Sequence, residues 1–143
     1  MDRVPNWNYK IWEVGEEVRG QPFEWGITDC VTIARRVLEA QFGEDIIAPH
    51  FNSEYKTKTG ATRAFNKIGS MTDIALAAGA KEIDPINARD GDIMIFPKGN
   101  GKYENVATRI GSMWFIADPD INRVVATRLL HTEIDTEVKA FRF

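Results

Sequence analysis

The chain has one cysteine and two histidines among its 143 residues, so it can form no internal disulfide. Cys30, His50 and His131 lie too far apart along the sequence to give a metal-ligand spacing, and no metal or other cofactor is expected. No stretch approaches the roughly 20 apolar residues of a membrane-spanning helix. The leading Met1-Asp2-Arg3-Val4-Pro5-Asn6-Trp7 lacks the basic-then-apolar pattern of a secretory signal, so synthesis in a cytoplasm is expected. Neither sign of charge dominates: 18 basic and 21 acidic side chains are mixed along the chain, for a net charge of −3. No face is evidently built to neutralise phosphates or anionic lipid, and neither nucleic acid nor a membrane is an expected partner. Repeats, linkers and low-complexity segments are also missing.

What remains is a length that suits one domain, 1–143, able to bury a core without a covalent or metal staple. Ile11, Val14 and Val18, with Tyr9 and Trp12, recur at helical spacing from Asn8 to Arg19, and Gly20 and Pro22 end the run. A second helix follows Thr28-Asp29, carries Val31, Ile33, Ala34, Val37, Leu38 and Phe42, and stops at Gly43. Thr59 or Thr62 is expected to open a third that Gly69 stops, and a fourth runs from Thr72 to Ala78.

Beyond Pro85 the period shortens to that of strands: Ile93 to Phe96, Val106 to Ile110, Met113 to Ala117, Val124 to Thr127 and Val138 to Phe143. Turn-forming residues separate consecutive runs, which predicts an antiparallel meander. Helices first and strands second make an α+β fold, with N-terminal helices, the central one bearing Cys30, packed on a C-terminal antiparallel sheet.

Cys30 is placed directly after Trp25-Gly26-Ile27-Thr28-Asp29, in what should be the first turn of the central helix. There, unpaired N–H groups and the positive end of the helix dipole favour a thiolate, so the position suits a nucleophile. A lone cysteine is also a small apolar residue that packs well in a core. Asp29 beside the thiol would raise its pKa by like-charge repulsion unless it serves as a helix cap, and capping is the better role. Trp7, Trp12, Trp25 and Trp114 read as packing rather than as a glycan groove. Gly91-Asp92 reads as a tight turn into a strand, with Asp92 bonding backbone amides.

Three segments together resemble the papain-like cysteine peptidases of the NlpC type, which cut the peptide stems of bacterial cell wall. Trp25-Gly26 with Asp29-Cys30 is similar to that family's nucleophile motif, and Gly91-Asp92-Ile93-Met94-Ile95-Phe96 to its first strand. Asn105-Val106-Ala107-Thr108-Arg109-Ile110-Gly111 resembles, without a gap, the segment that begins with the catalytic histidine. More closely, the chain resembles a group of phage and prophage proteins, through Tyr55 with Gly60-Ala61, Ala88-Arg89-Asp90-Gly91-Asp92, and the ending Phe141-Arg142-Phe143.

The resemblance implies Cys30 as nucleophile, Trp25, Gly26 and Asp29 as binding residues around it, and Asn105 at the histidine position, facing the thiol. An amide cannot take a proton near neutral pH, so Asn105 cannot serve as a base. The position that orients the base falls near Phe115-Ile116-Ala117, with Asp118 one step further on. His131 and His50 are the alternative bases, each more simply a structural or surface histidine.

Two functional expectations follow. The first is a virion component of a phage, tail-associated, whose papain-like fold serves folding and docking among other virion or tail proteins after peptidase chemistry is lost. The alternative is a working peptidase or amidase that cuts peptidoglycan stem peptides with Cys30 and a relocated base. A module that holds a host protein's peptide without cutting it is a third, weaker reading.

Overall fold

Burial recurs every three or four residues along the helices of the first half, whereas the strands of the second half bury consecutive residues on both faces of a sheet. The computed structural model describes residues 2–51, 54–97, 104–128 and 137–143. Four α-helices are described: α1 (Trp7–Val18), α2 (Cys30–Phe42), α3 (Lys58–Ile68) and α4 (Met71–Ala77). α1 turns Ile11, Gly15 and Val18 inward, while α2 buries Val31, Ala34, Val37, Leu38 and Phe42 among others, as the helix on which the core is assembled.

The caps explain the boundaries. Asp29 accepts hydrogen bonds from the N–H groups of Val31 and Thr32 to start α2, and Gly43, at φ +78°, ends it. Thr57 accepts from Gly60 N–H and Ser70 from Asp73 N–H, opening α3 and α4. α3 therefore begins before both Thr59 and Thr62, because the hydroxyl that reaches an unpaired N–H is that of Thr57.

Among the described residues, six antiparallel strands form one sheet: β1 (Lys81–Ile83), β2 (Ile93–Phe96), β3 (Asn105–Ile110), β4 (Met113–Asp118), β5 (Arg123–Thr127) and β6 (Lys139–Arg142). Their spatial order is β1-β6-β2-β3-β4-β5. β2 to β5 form the expected meander, but the last strand does not extend it. β6 crosses back to lie between β1 and β2, with Phe141 opposite both Glu82 and Ile93. The expected α+β arrangement is present, with two differences: β1 is an additional strand, and the chain ends inside the sheet.

The sheet has two apolar faces. Ile93, Ile95, Val106, Ile110, Phe115 and Phe141 pack with the helices, and Met94, Ala107, Trp114, Val138 and Ala140 form a second cluster. Between Pro85–Asn87, a single 3-10 turn, and β2 lies the Gly91-Asp92 corner. Asp92 is fully buried; its carboxylate accepts both Nε and Nη2 of Arg142, at 3.0 and 2.7 Å, and the backbone N–H of Arg89 at 2.7 Å. The aromatic-Arg-aromatic end thus closes the sheet, and the Gly-Asp pair is its clasp. Gln41, at the end of α2, ties the same corner to both chain ends: it donates to Gly91 O and accepts from Arg3, whose guanidinium also reaches Phe143 O.

Candidate functional site

Cys30 is the first residue of α2, and only 5% of it is exposed. Its surroundings are built by Asp29. That carboxylate, itself buried, accepts five hydrogen bonds: from Val31 N–H and Thr32 N–H, from Thr32 Oγ1, from Gly26 N–H at 2.6 Å and from the Tyr55 hydroxyl at 2.9 Å. Thr28 fixes the preceding loop, with its hydroxyl accepting from Glu24 N–H and donating to Pro22 O. Gly26 has φ +81°, and a Cβ there would stand 2.2 Å from the Tyr55 carbonyl oxygen, so the loop and the Tyr55 segment meet where only glycine fits. Trp25 then lies edge-on to Phe23 and to Tyr55, with ring centroids 4.8 and 6.4 Å away.

This packing decides the state of the thiol. Burial, and next the charge of Asp29, push the Cys30 thiol up to about 12, although backbone N–H groups of Val106, Val31 and Cys30 itself pull the other way. The helix terminus favours a thiolate as expected, but loss of solvent outweighs it. Asp29 plays both roles weighed from the sequence: it caps the helix and it repels a thiolate. Burial and Asp29 likewise raise the Tyr55 phenol, which donates to the carboxylate and stays neutral.

Of the residues singled out by sequence, Trp25, Gly26, Asp29 and Cys30 come together as one unit. Asn105 does not face the thiol. It opens β3 opposite Phe96, which packs in the cluster of Met94 and Ala107, whereas Val106 pairs with Ile95 on the face covered by α2. Cross-strand partners share a face, so Val106 takes the place expected of Asn105, with its backbone N–H against the sulfur. Asp118 ends β4 opposite Arg123. His50 is exposed on the turn after α2, its backbone N–H on Ile47 O, and it is not among the groups that act on the thiol. His131 lies outside the described residues.

The residue whose role the sequence did not disclose is Tyr55. Its motif was visible, but a hydrogen bond to a residue 26 positions earlier has no local signature. Gly60 lies close to Tyr55, where a Cβ would stand 3.3 Å from Tyr55 Cβ, and the adjacent Ala61 is fully buried. Chemically, the unit is a buried thiol over a saturated carboxylate, suited to holding structure. Among the described residues, no group of three or more His, Cys, Asp or Glu side chains could hold a metal ion. Likewise, no described helix is long and apolar enough to cross a membrane.

No curated protein matches the chain. A family model described as "Domain of unknown function (DUF6950)" matches residues 2–142, so the Cys30 unit, the Gly-Asp corner and the closing strand all fall within one family pattern, and the chain belongs to that family.

Proposed function

We propose that the chain is a non-catalytic module of papain-like, NlpC-type architecture that serves as a structural component of a phage virion, in its tail. The observation that carries the loss of chemistry is the Cys30 thiol, buried and pushed up to about 12, beside a carboxylate that already has five donors. A thiol in that state is neither ionised at neutral pH nor open to a substrate carbonyl. What supports the architecture is the order of a cysteine-headed helix followed by an antiparallel sheet with a Gly-Asp corner. The phage setting rests on the resemblance of the Tyr55, Gly91-Asp92 and Phe141-Arg142-Phe143 motifs to phage and prophage proteins.

The test is a peptidoglycan digestion with the parent chain, Cys30→Ala and Asn105→His, alongside alkylation of Cys30 in native and denatured protein. The expected outcome is no released peptide from any of the three, with alkylation slow until the chain unfolds. Release by the parent chain that disappears in Cys30→Ala would overturn the reading and restore the peptidase.

A further inference from the structure

The outer face of α2 forms the floor of a groove of about 900 Å³ that does not include the cysteine. Thr32, Arg35, Arg36 and Glu39 lie along the floor, at the spacing of one helical stripe. The loop of Phe23 to Ile27 makes one wall, and Glu54 to Lys56 make another. Both walls are held firmly, since Gly26 and Tyr55 are bonded to the same Asp29 carboxylate.

The charges of the lining do not balance once internal pairs are removed. Arg35 is neutralised by Asp45, with Nε at 2.9 Å and Nη2 at 2.6 Å from one carboxylate oxygen, and Arg36 by Glu17 of α1. Glu24, Glu39 and Glu54 are left, against Lys56 alone, and among the described residues none of these four enters an ion pair. Three carboxylates and one ammonium give the free lining a charge of −2. The same lining carries the half-buried rings of Phe23 and Trp25, which meet edge to face with centroids 4.8 Å apart and form an aromatic corner in the groove.

An aromatic corner set among unpaired carboxylates is complementary to lysine and arginine side chains. Their alkyl stems pack on ring faces while their heads meet the acids, and guanidinium in particular stacks on indole. We propose that this groove is the docking site for a basic, extended segment of a partner protein. Polyanions are disfavoured by the same charge. The inference concerns a different surface from the thiol and does not depend on whether Cys30 reacts.

The test uses the full chain and a fluorescent, end-blocked peptide that alternates Lys-Arg with Gly-Ser, compared with the same peptide carrying Gln at every basic position. Anisotropy is read at about 50 mM salt, where exposed charges are weakly screened. The basic peptide is expected to bind and the Gln peptide not. Glu39→Gln and Glu54→Gln, both at exposed positions, are each expected to weaken binding about twofold to fivefold, the range for one exposed ion pair. Glu13→Gln and Glu16→Gln on the exposed face of α1, each removing one charge elsewhere, are expected to leave binding unchanged. The proposal is overturned if the basic peptide does not bind, if the Gln peptide binds as well, or if the α1 variants weaken binding as much as the groove variants do.

Discussion

The Tyr55 hydroxyl donates to Asp29 Oδ1 across 2.9 Å, so a side chain from the loop after α2 completes the cap at the start of that helix. Both groups are buried, and the bond joins two segments that the sequence separates by 26 positions. Removing the hydroxyl alone tests its weight. Tyr55→Phe keeps the ring contacts with Phe51, Phe65 and Trp25 and leaves Asp29 its other donors. The expected loss is about 1 to 2 kcal/mol in a denaturant unfolding series, since a hydrogen bond to a charged group is lost while four remain. A loss no greater than a few tenths would show that the bond is incidental.

The raised thiol makes stability fall with pH on the alkaline side. Unfolded, Cys30 releases its proton near 9.0; folded, it holds it until about 12. Between those values the native state binds a proton that the unfolded state has lost, so its contribution is complete below pH 9 and declines as pH rises, by up to about 1.4 kcal/mol per pH unit. Tyr55, raised above its ordinary 10.0, adds in the same direction above that value. Unfolding free energies measured from pH 8 to 11 should therefore fall more steeply for the parent chain than for Cys30→Ala. Parallel curves would show that the thiol titrates in the native protein as it does in water.

Arg142 and Asp92 offer a separate test in the sheet. Asp92 is nearly inaccessible, and a two-nitrogen fork from Arg142 satisfies it together with Arg89 N–H. Arg142→Ala leaves a buried carboxylate without its counter-charge, for an expected loss of about 3 to 5 kcal/mol. Arg142→Lys restores charge but not the fork, so partial recovery is expected. Full recovery with lysine would show that charge alone matters at this corner.

Where the sequence was legible, the signal was local. Gly43 and Asp29 mark the two ends of α2 through caps that involve residues within four positions, and the short apolar and β-branched runs Ile93 to Phe96 and Val106 to Ile110, bounded by turn residues, mark strands directly. β1 gave no such signal, because Lys81-Glu82-Ile83 has no buried residue to alternate with. The place of β6 was hidden for a different reason. Its apolar pattern predicts a strand, but its neighbours are chosen by Arg142 reaching a carboxylate 50 positions away. The thiol shows the same limit: the dipole that favours ionisation can be read from a helix start, whereas the burial that opposes it comes only with the tertiary fold that packs over Cys30. Asn105 illustrates register. A match of segments places it one residue from the contact, and in a strand one residue is the opposite face.

Gly26 joins the loop wall of the groove to the Asp29 cap, and its substitution should be felt in both. At φ +81° an alanine is strained by the backbone alone, and its Cβ would lie 2.2 Å from the Tyr55 carbonyl, a main-chain atom that cannot swing aside. Relief requires either the loop or the Tyr55 segment to move, and Gly26 N–H and the Tyr55 hydroxyl are both bound to Asp29. Gly26→Ala is therefore expected to destabilise by more than the roughly 1 to 2 kcal/mol of left-handed backbone strain. It should also loosen the surroundings of Cys30, so that alkylation of the native thiol becomes faster than in the parent chain. Gly20, at φ +78° with nothing within 4 Å of its would-be Cβ, supplies the control, because Gly20→Ala carries the same strain without the collision. If the two variants lose equal stability and Cys30 alkylates no faster in Gly26→Ala, then contact with Tyr55 does not keep the thiol closed.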